Sequence, residues 1–257
     1  ILCNQEIKFK AFLDYAKALG ADLIATGHYA RIHDTGQGLR LLKGIDPKKD
    51  QSYFLYRLRQ PWLSRILFPL GGMLKIDVWK EADHLGLPAD ELKESQEICF
   101  VSHGDYRTFL EAQPSLRSAP GPFVDMTGSV LGTHQGIPFY TPGQRRGLGI
   151  ATGDRLYVQR VLPETNTVVL GPEENLLSSS CTVTDLNILD PRIAHELVQT
   201  DCKVRYATPP SKATVTPQPG NTASVSFEHP QRALSPGQSA VFYEGEVVLG
   251  GGIIHSC

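Results

Sequence analysis

The sequence has no long apolar run and no signal-peptide pattern. None of its apolar runs approaches the roughly 20 residues that a membrane-spanning helix needs, and no charged-then-apolar segment opens the chain. Hydrophobic residues make up 41% and charged residues 20% of the 257 residues. This composition is typical of an ordinary soluble globular protein, so we expect a cytoplasmic location and no membrane partner.

Cysteine is scarce, and its spacing forms no recognisable pattern. The five cysteines are an odd number, which argues against the disulfide framework of a secreted protein. No two have the spacing C-x-x-C, which argues against a zinc ribbon, and we predict no metal site. Cys181, Cys202 and Cys257 are interpreted as structural or incidental residues.

No excess of positive charge is present. The net charge of -2 does not by itself indicate a nucleic-acid-binding protein. An RNA partner would therefore require lysines and arginines that are clustered locally, where the phosphate backbone lies. The chain opens with Ile1 rather than methionine, and we expect a fragment of a longer protein. Its length predicts two or three domains.

The first hundred residues have the pattern of an α/β domain. A helix is predicted over residues 5–19, where Phe12, Tyr15, Ala16 and Leu19 keep helical spacing and Gly20 is a natural stop. Residues 22–26 predict a short buried strand. Further elements are predicted as a strand at 39–43, a helix at 51–58, a helix at 75–85 and an extended piece at 97–101.

The pattern changes after about residue 102. Residues 113–122 are predicted to be a linker, and the seven glycines of residues 128–153 exclude long helices. From about residue 175 apolar and polar residues alternate, which predicts strands at 202–206, 213–215 and 223–227 and a hairpin turn at 243–246. Several short strands with turn signals predict a small antiparallel barrel or sandwich.

Two cysteines stand in distinctive local contexts. Cys99 follows the polar residues 95–97, which favours an accessible loop, although a cysteine between Ile98 and Phe100 is more often a buried apolar residue. Cys3 precedes the first predicted helix, where the helix N-terminus lowers a thiol pKa. Both a structural and a chemical role stay open at this point.

Three further segments have a structural and a functional interpretation. ATGHYAR, at residues 25–31, follows a predicted strand and is either a simple turn or a ligand-binding edge. KKDQSY, at residues 48–53, is either a helix start capped by Asp50 or a contact surface for phosphate and base. In the glycine-rich residues 140–150, Arg145 and Arg146 supply charge for a close approach to RNA. That segment lacks the context of a Walker site.

Eight segments in order resemble the motifs of the tRNA 2-thiouridylases, which are sulfur-inserting enzymes of the PP-loop ATPase class. Each is weak alone, and together they cover essentially the whole chain. They are CN with IKF at 3–9, ATGHY at 25–29, KDQSYFL at 49–55, FPLG at 68–71, SQEICF at 95–100, GQRRGLGI at 143–150, PGQSA at 236–240 and LGGGII at 249–254.

The resemblance implies a fold of three parts. Residues 1–101 would be the C-terminal part of a PP-loop catalytic domain, which is α/β and similar to the adenine nucleotide alpha-hydrolases. Residues 102–170 would be a small central tRNA-binding domain, and residues 171–257 an antiparallel β-barrel. The family's pyrophosphate-binding loop, Ser-Gly-Gly-x-Asp-Ser, occurs nowhere in the sequence. Glu94 and Pro142 are smaller departures from the family pattern.

The resemblance also implies roles for matching positions. Cys3 would be the first catalytic cysteine, Cys99 would hold the persulfide, and Gly27 would lie near ATP. Contacts to tRNA are implied for His28, Lys49, Asp50, Gln51, Arg205, Tyr206 and Gln238. With Arg145 and Arg146 these residues predict one continuous positive surface, along which tRNA would lie across all three parts.

The implied reaction is ATP-dependent 2-thiolation of the wobble uridine, at position 34, of tRNAs accepting Glu, Gln and Lys. ATP with Mg²⁺ and a sulfur-relay donor protein are the expected cofactor and partner. Two alternatives compete: a non-catalytic tRNA-binding module, and a thiol redox protein using Cys3 and Cys99. A redox protein would need neither the basic loop nor a barrel.

Overall fold

The computed structural model describes residues 1–36, 38–87, 101, 106–113, 119–150 and 153–257. The chain divides into two compact units. The first unit comprises Ile1–Glu91, Ser179–His229 and Pro236–Cys257, and the second comprises Leu92–Ser178 and Pro230–Ser235. The predicted division into three domains at residues 101 and 170 stays a prediction.

The first helix begins as a π-helix over Asn4–Ala11 and continues as α1, Phe12–Ala18. Gly20 follows with φ +77°, which is the left-handed backbone that ends many helices. The helix predicted over residues 5–19 is therefore confirmed, although its π character was not predicted. Its buried residues are Gln5, Phe9, Leu13 and Ala16, whereas Phe12, Tyr15 and Leu19 are exposed.

A short parallel pair of strands follows. β1, Ile24–Ala25, pairs with β4, Ile66–Leu67, and aligns Ile24 with Ile66. The strand predicted over 22–26 is thus shorter than expected, and only Ile24 among its residues is buried, because Leu23 and Ala25 are exposed. The remaining elements of this region are β2 (Ala30–Asp34), β3 (Leu39–Lys43), α2 (Ser52–Leu55), α3 (Lys75–His84) and 3₁₀ turns at Gln60–Arg65 and Pro69–Gly72.

The C-terminal strands form a closed six-stranded antiparallel barrel, in the order β13-β10-β11-β12-β9-β14 with β14 returning to β13. The short helix α5, Arg192–His195, lies between β9 and β10. These strands are β9 (Leu177–Ile188), β10 (Val198–Lys203), β11 (Ser211–Gln218), β12 (Thr222–Arg232), β13 (Ser239–Glu244) and β14 (Val247–Ser256). The barrel alternative and the hairpin turn at 243–246 are confirmed. The strand predicted over 202–206 is wrong in its second half, because β10 ends at Lys203 and a turn follows.

The N-terminal hairpin extends the sheet of the barrel. β2 pairs with β3 along its whole length, and β3 reaches β14 through the pair Leu42 and Val247. Backbone hydrogen bonds therefore join the first hundred residues to the last hundred within one sheet.

The segment around α2 attaches to the barrel through buried hydroxyl groups. Tyr53 Oη donates to the carbonyl of Ser239 at 3.0 Å, and Tyr56 Oη lies 3.1 Å from Ser239 Oγ. Asn187 Nδ2 donates to the carbonyls of Tyr56 and Leu58 at 2.6 and 2.9 Å. Tyr53, Tyr56 and Leu58 belong to the same apolar core as Val241, Tyr243 and Val248 of the barrel.

The second unit is built on a four-stranded sheet of order β6-β5-β8-β7, in which β5 and β8 are parallel. Its core contains Phe123, Phe139, Tyr140, Val158, Val168 and Leu170. Its elements are α4 (Tyr106–Glu111), β5 (Gly121–Val124), β6 (Val130–His134), β7 (Tyr157–Leu162) and β8 (Thr167–Gly171), with 3₁₀ turns at Ile137–Phe139, Pro163–Thr165 and Glu173–Leu176.

Gly71 and its neighbour Gly72 offer a matched test of the packing against β2. A Cβ on Gly71 would overlap the carbonyl oxygen of Ala30, whereas a Cβ on Gly72 meets nothing within 4 Å. We expect Gly71→Ala to lower the free energy of unfolding by about 2 to 3 kcal/mol, because backbone must move. Gly72→Ala should stay within about 0.5 kcal/mol of wild type. Denaturant unfolding of both variants measures the difference, and equal stabilities would contradict the packing described.

Candidate thiol and nucleic-acid-binding site

Cys3 lies at the start of the π-helix, in the N-cap position, and is half-buried with a free thiol. Its side chain makes no capping hydrogen bond. Cys99, the other predicted catalytic residue, lies outside the described residues. The expected proximity of the two sulfur atoms therefore stays a prediction.

The two residues after Cys3 are both bound to the segment that follows residue 53. Asn4 Nδ2 donates to the carbonyl of Phe54 at 3.3 Å. Gln5 is buried, and its Oε1 accepts a hydrogen bond from Nε of the buried Arg57. The start of the helix is thus held by two side chains rather than by packing alone.

His28 is held in an aromatic pocket directly after β1. Its ring lies 5.5 Å from Phe9 and 6.0 Å from Phe68, and Thr26 Oγ1 lies 2.9 Å from its Nδ1. Burial, together with the nearby Lys8, lowers the pKa of His28 to about 4. The imidazole is therefore neutral at neutral pH.

Gly27, the predicted ATP-side position, is exposed at the carboxyl end of β1. A Cβ placed there would meet only Leu70 Cδ1, at 3.6 Å. This edge of a parallel strand pair is where α/β sheets bind ligands.

The side chains of Asp50 and Gln51 accept hydrogen bonds that hold the loop before α2. The Asp50 carboxylate accepts hydrogen bonds from the backbone N–H of Gly44 and of Ser52 and from Ser52 Oγ, at 2.9 to 3.1 Å. Gln51 Oε1 accepts from the N–H of Tyr29 at 2.9 Å, and its own N–H donates back to the Tyr29 carbonyl. The capped helix start is thus real, but Gln51 occupies the N-cap position that was assigned to Asp50.

Lys49 is half-buried beside this loop. Its backbone N–H donates to the carbonyl of Asp46, and the carboxylate of Asp46 accepts from the N–H groups of Lys75 and Lys48. These hydrogen bonds, that from Lys75 first, lower the pKa of Asp46. These hydrogen bonds hold the backbone of the loop that contains Lys49.

The turn after β10 brings the predicted barrel residues together. Arg205 Nε donates to Gln238 Oε1 at 3.4 Å. Tyr206 is 39% exposed, and its ring centroid lies 4.5 Å from that of Phe54. We call Phe54, Lys203, Arg205, Tyr206 and Gln238 the barrel-side cluster. Asn4, the residue after Cys3, donates a hydrogen bond to the Phe54 carbonyl, so it contacts this cluster directly.

Lys203 was missed by the sequence analysis. Its Nζ lies 5.2 Å from the Tyr206 ring and 5.9 Å from the Tyr53 ring. Partial burial lowers its pKa, and Asp50 opposes that shift. The available signal was its position two residues before Arg205 in the segment 202–206, which was predicted as a strand, because alternate side chains of a strand share a face.

The second unit presents Arg145 and Arg146 on an exposed loop. Gln144 shapes this loop, since its Oε1 accepts from the N–H of Thr141 at 3.1 Å and its Nε2 donates to the Arg146 carbonyl at 2.9 Å. A groove of about 370 Å³ lies beside it, lined by Arg145, Gly147, Leu148, Gly149, Ile150, Asp154, Arg155 and Leu156. Arg155 is a second residue that the sequence analysis missed.

The other described cysteines are poor candidates for chemistry. Burial raises the pKa of Cys181 to about 12, and burial also raises the pKa of Cys202 well above its usual value. Such thiols are rarely ionised and are unreactive. In the described part of the chain, no group of three or more His, Cys, Asp or Glu residues is placed to hold a metal ion. Nor does that part contain a helix long and apolar enough to span a membrane.

Comparison with known proteins gives matches along the whole chain. Residues 1–103 match a family model described as the tRNA methyl transferase HUP domain, residues 107–172 the tRNA methyl transferase PRC-barrel domain, and residues 178–254 the aminomethyltransferase beta-barrel domain. A tRNA-specific 2-thiouridylase MnmA of Geobacter metallireducens is 49% identical over 255 residues, which are 99% of this chain and 69% of that protein. The chain belongs to the tRNA-specific 2-thiouridylase family.

Two further members of the 2-thiouridylase family show the same extent of similarity. The MnmA protein of Pelotomaculum thermopropionicum is 45% identical over all of this chain and 70% of its own length. That of Heliobacterium modesticaldum is 48% identical over 99% of this chain and 67% of its own length. Membership of the 2-thiouridylase family confirms the resemblance, and the matched models with the observed barrel confirm the predicted fold class.

The low pKa of His28 predicts a dependence of stability on pH. In the unfolded chain a histidine protonates near pH 6.5, whereas folded His28 protonates only near pH 4. Between these values the unfolded state binds more protons, so the stabilisation is complete above pH 6.5 and is lost as the pH falls to about 4. We expect this loss to reach about 3 kcal/mol and to be absent in His28→Gln. Denaturant unfolding from pH 4 to 7 measures it, and parallel curves would contradict it.

Proposed function

We propose that this chain is the thiol-bearing part of a tRNA uridine 2-sulfurtransferase that thiolates the wobble uridine at position 34 in an ATP-dependent reaction. The observation that supports this most is a pair of contacts that link Asn4, the residue after Cys3, to Tyr206. Asn4 donates a hydrogen bond to the Phe54 carbonyl, and the Phe54 ring lies 4.5 Å from the Tyr206 ring. Cys3 is a half-buried thiol at a helix start, and Tyr206 is an exposed ring that follows an arginine. An extruded base requires an aromatic stacking partner, which Tyr206 supplies in this proposal.

The proposed chemistry of the two cysteines balances in three steps. A donor protein transfers sulfur to Cys99, which becomes a persulfide. The terminal sulfur of the persulfide then forms a bond to C2 of the uridine as the activated C2 oxygen leaves. Finally the Cys3 thiolate attacks the Cys99 sulfur, the bond to the transferred sulfur breaks, and a Cys3–Cys99 disulfide remains. A thiol reductant restores both cysteines with two electrons.

ATP supplies the activation that makes the C2 oxygen a leaving group. Within the part of the chain that the structure describes, Gly27 is the position that fits ATP, because its exposed backbone follows a parallel strand. The pyrophosphate-binding motif of the class does not occur in the sequence. We therefore derive no step through ATP from these residues, and we propose that the phosphates are held by residues outside this sequence.

Each unit contributes its own tRNA contacts in this proposal. In the first unit they are His28, Lys49, Gln51 and the barrel-side cluster, of which Lys203 is an addition. Asp50 acts indirectly by holding the loop, because its carboxylate is occupied by N–H and hydroxyl donors. In the second unit Arg145, Arg146 and Arg155 line or flank one groove. Acceptors for Glu, Gln and Lys are the proposed substrates.

Exchanging each cysteine for serine tests the function in the full-length protein. We expect Cys99→Ser to abolish 2-thiouridine formation while tRNA binding stays within about twofold, because a hydroxyl cannot hold a persulfide. Cys3→Ser should also stop turnover but still accept sulfur on Cys99. Mass spectrometry of each variant after exposure to a sulfur donor locates the persulfide.

The buried Cys202→Ser is not a useful control, so the exposed Cys257→Ser serves instead and should keep full activity. Mass spectrometry of the tRNA distinguishes exchange of oxygen for sulfur from methyl addition, the reaction named by two of the matched domain models. Thiolation that survives in Cys3→Ser or Cys99→Ser would refute the relay, and a methylated product would refute the reaction.

Lys203 and Lys212 form a matched pair for testing the tRNA surface. Lys203 lies over the Tyr206 ring, whereas Lys212 on the same barrel is paired with Asp201 at 2.9 Å. We expect Lys203→Met to weaken tRNA binding and to reduce the slope of log K against log salt by about 1. Lys212→Met should leave both unchanged. Filter binding between low and physiological salt measures the slopes, and equal behaviour of the two variants would exclude Lys203 from the interface.

A further inference from the structure

The buried guanidinium of Arg57 joins the helix of Cys3 to the barrel. Its Nε donates to Gln5 Oε1, and its Nη2 donates to Asp185 Oδ2 at 2.7 Å. Arg57 is 8% exposed and Gln5 9%. Charged side chains are seldom buried to this degree unless they are paired. The remaining nitrogen, Nη1, is buried and has no hydrogen-bond partner among the described residues.

Asp185 reaches Arg57 because of an irregularity in β9. Thr184 pairs with Ile253 and Asn187 with Gly251, so Asp185 and Leu186 both lie opposite Gly252. Two residues opposite one define a β-bulge, which redirects a side chain out of the regular alternation. Asp185 also has φ +51°, a left-handed backbone that aspartate tolerates better than most residues. The bulge therefore turns a carboxylate of the barrel toward Arg57.

We infer that Arg57 is a positioning residue for Cys3: through Gln5 it fixes the start of the π-helix relative to the barrel. The inference rests on the proposed function, because Cys3 matters only if its thiol reacts. The connection from Arg57 to Cys3 is short, because Gln5 is two residues from Cys3 in the chain. The other partner of Arg57, Asp185, lies in β9 of the barrel. Asn4, bound to Phe54, is the second attachment of the same helix start.

A purely structural role for Arg57 makes a different prediction. Buried ion pairs are often replaced by apolar residues of similar size without loss of stability. Here the carboxylate left behind would be solvated, because the Asp185 side chain is 61% exposed. Gln5 would be left as a buried group without its partner, and that is costly. Replacing Gln5 and Arg57 together removes this cost while the contact stays broken.

The experiment compares Arg57→Met, the double variant Gln5→Met with Arg57→Met, and Asp185→Gly in the full-length protein. Glycine at position 185 keeps the left-handed backbone and removes only the carboxylate. Arg59→Met is the control, because Arg59 is exposed and lies over the Trp62 ring at 5.3 Å. The readouts are kcat and KM for tRNA thiolation, the melting temperature, and the alkylation rate of Cys3 followed by peptide mass spectrometry.

We expect kcat to fall at least tenfold in Arg57→Met and to stay low in the double variant although its melting temperature recovers. KM should change less than twofold, and Cys3 should be alkylated at least threefold faster. Asp185→Gly should change kcat in the same direction by a smaller factor. Recovery of kcat together with stability in the double variant, or an unchanged alkylation rate, would overturn the inference.

The alkylation measurement needs no thiolation activity, so it separates this inference from the proposed function. If wild-type protein fails to thiolate tRNA, the function is refuted while the position of Cys3 is still measured. If thiolation proceeds and Cys3 is alkylated at the same rate in every variant, the function stands and Arg57 has no positioning role.

Discussion

The docking of the α2 segment onto the barrel is the interaction on which the rest of the first unit depends. Tyr53 and Tyr56 bury their rings in the common core and satisfy their hydroxyl groups on Ser239. Burial raises the pKa of Tyr53, so its hydroxyl stays protonated and remains a donor. Apolar packing alone would tolerate several orientations of such a short helix. Hydrogen bonds between buried groups select one, because any other orientation leaves them unsatisfied.

This single docking places groups that lie far apart in the sequence. The Cys3 helix attaches to one side of the segment through the Phe54 carbonyl and Arg57, and the barrel attaches to the other side. The exposed ring of Tyr206 consequently stands against Phe54 rather than at the far end of a separate domain. The sequence order of these residues gives no hint of this, because more than 150 residues separate Phe54 from Tyr206. A candidate site built from three chain segments follows from one interface.

Local patterns in the sequence were sufficient for the elements whose cause is local. Gly20, with positive φ, ends the first helix where the sequence analysis placed its stop, and Gly86, also with positive φ, follows the helix that was predicted to end at residue 85. The alternation after residue 175 predicted strands, and closure into a barrel matched one of the two expected forms. In contrast, Arg205 and Gln238 were assigned to a common tRNA-binding role only through the family resemblance. Their contact at 3.4 Å required the whole barrel to be folded.

What could not be predicted depends on pairings between distant strands. The bulge at Asp185 exists because β14 is one residue shorter than β9 between two aligned pairs, and no local pattern in β9 announces it. Lys203 has the pattern of an ordinary strand lysine, and its position over the distant Tyr53 ring becomes visible only in the folded structure. From the sequence, Gln5 resembles a surface residue of an amphipathic helix. In the structure it is buried, and it accepts a hydrogen bond from Arg57. Gln5 and Asp185 both bind Arg57, which lies 52 and 128 residues away from them in the chain. Residues of this kind break the local pattern, and they are the ones that connect the thiol to the surface proposed to bind RNA.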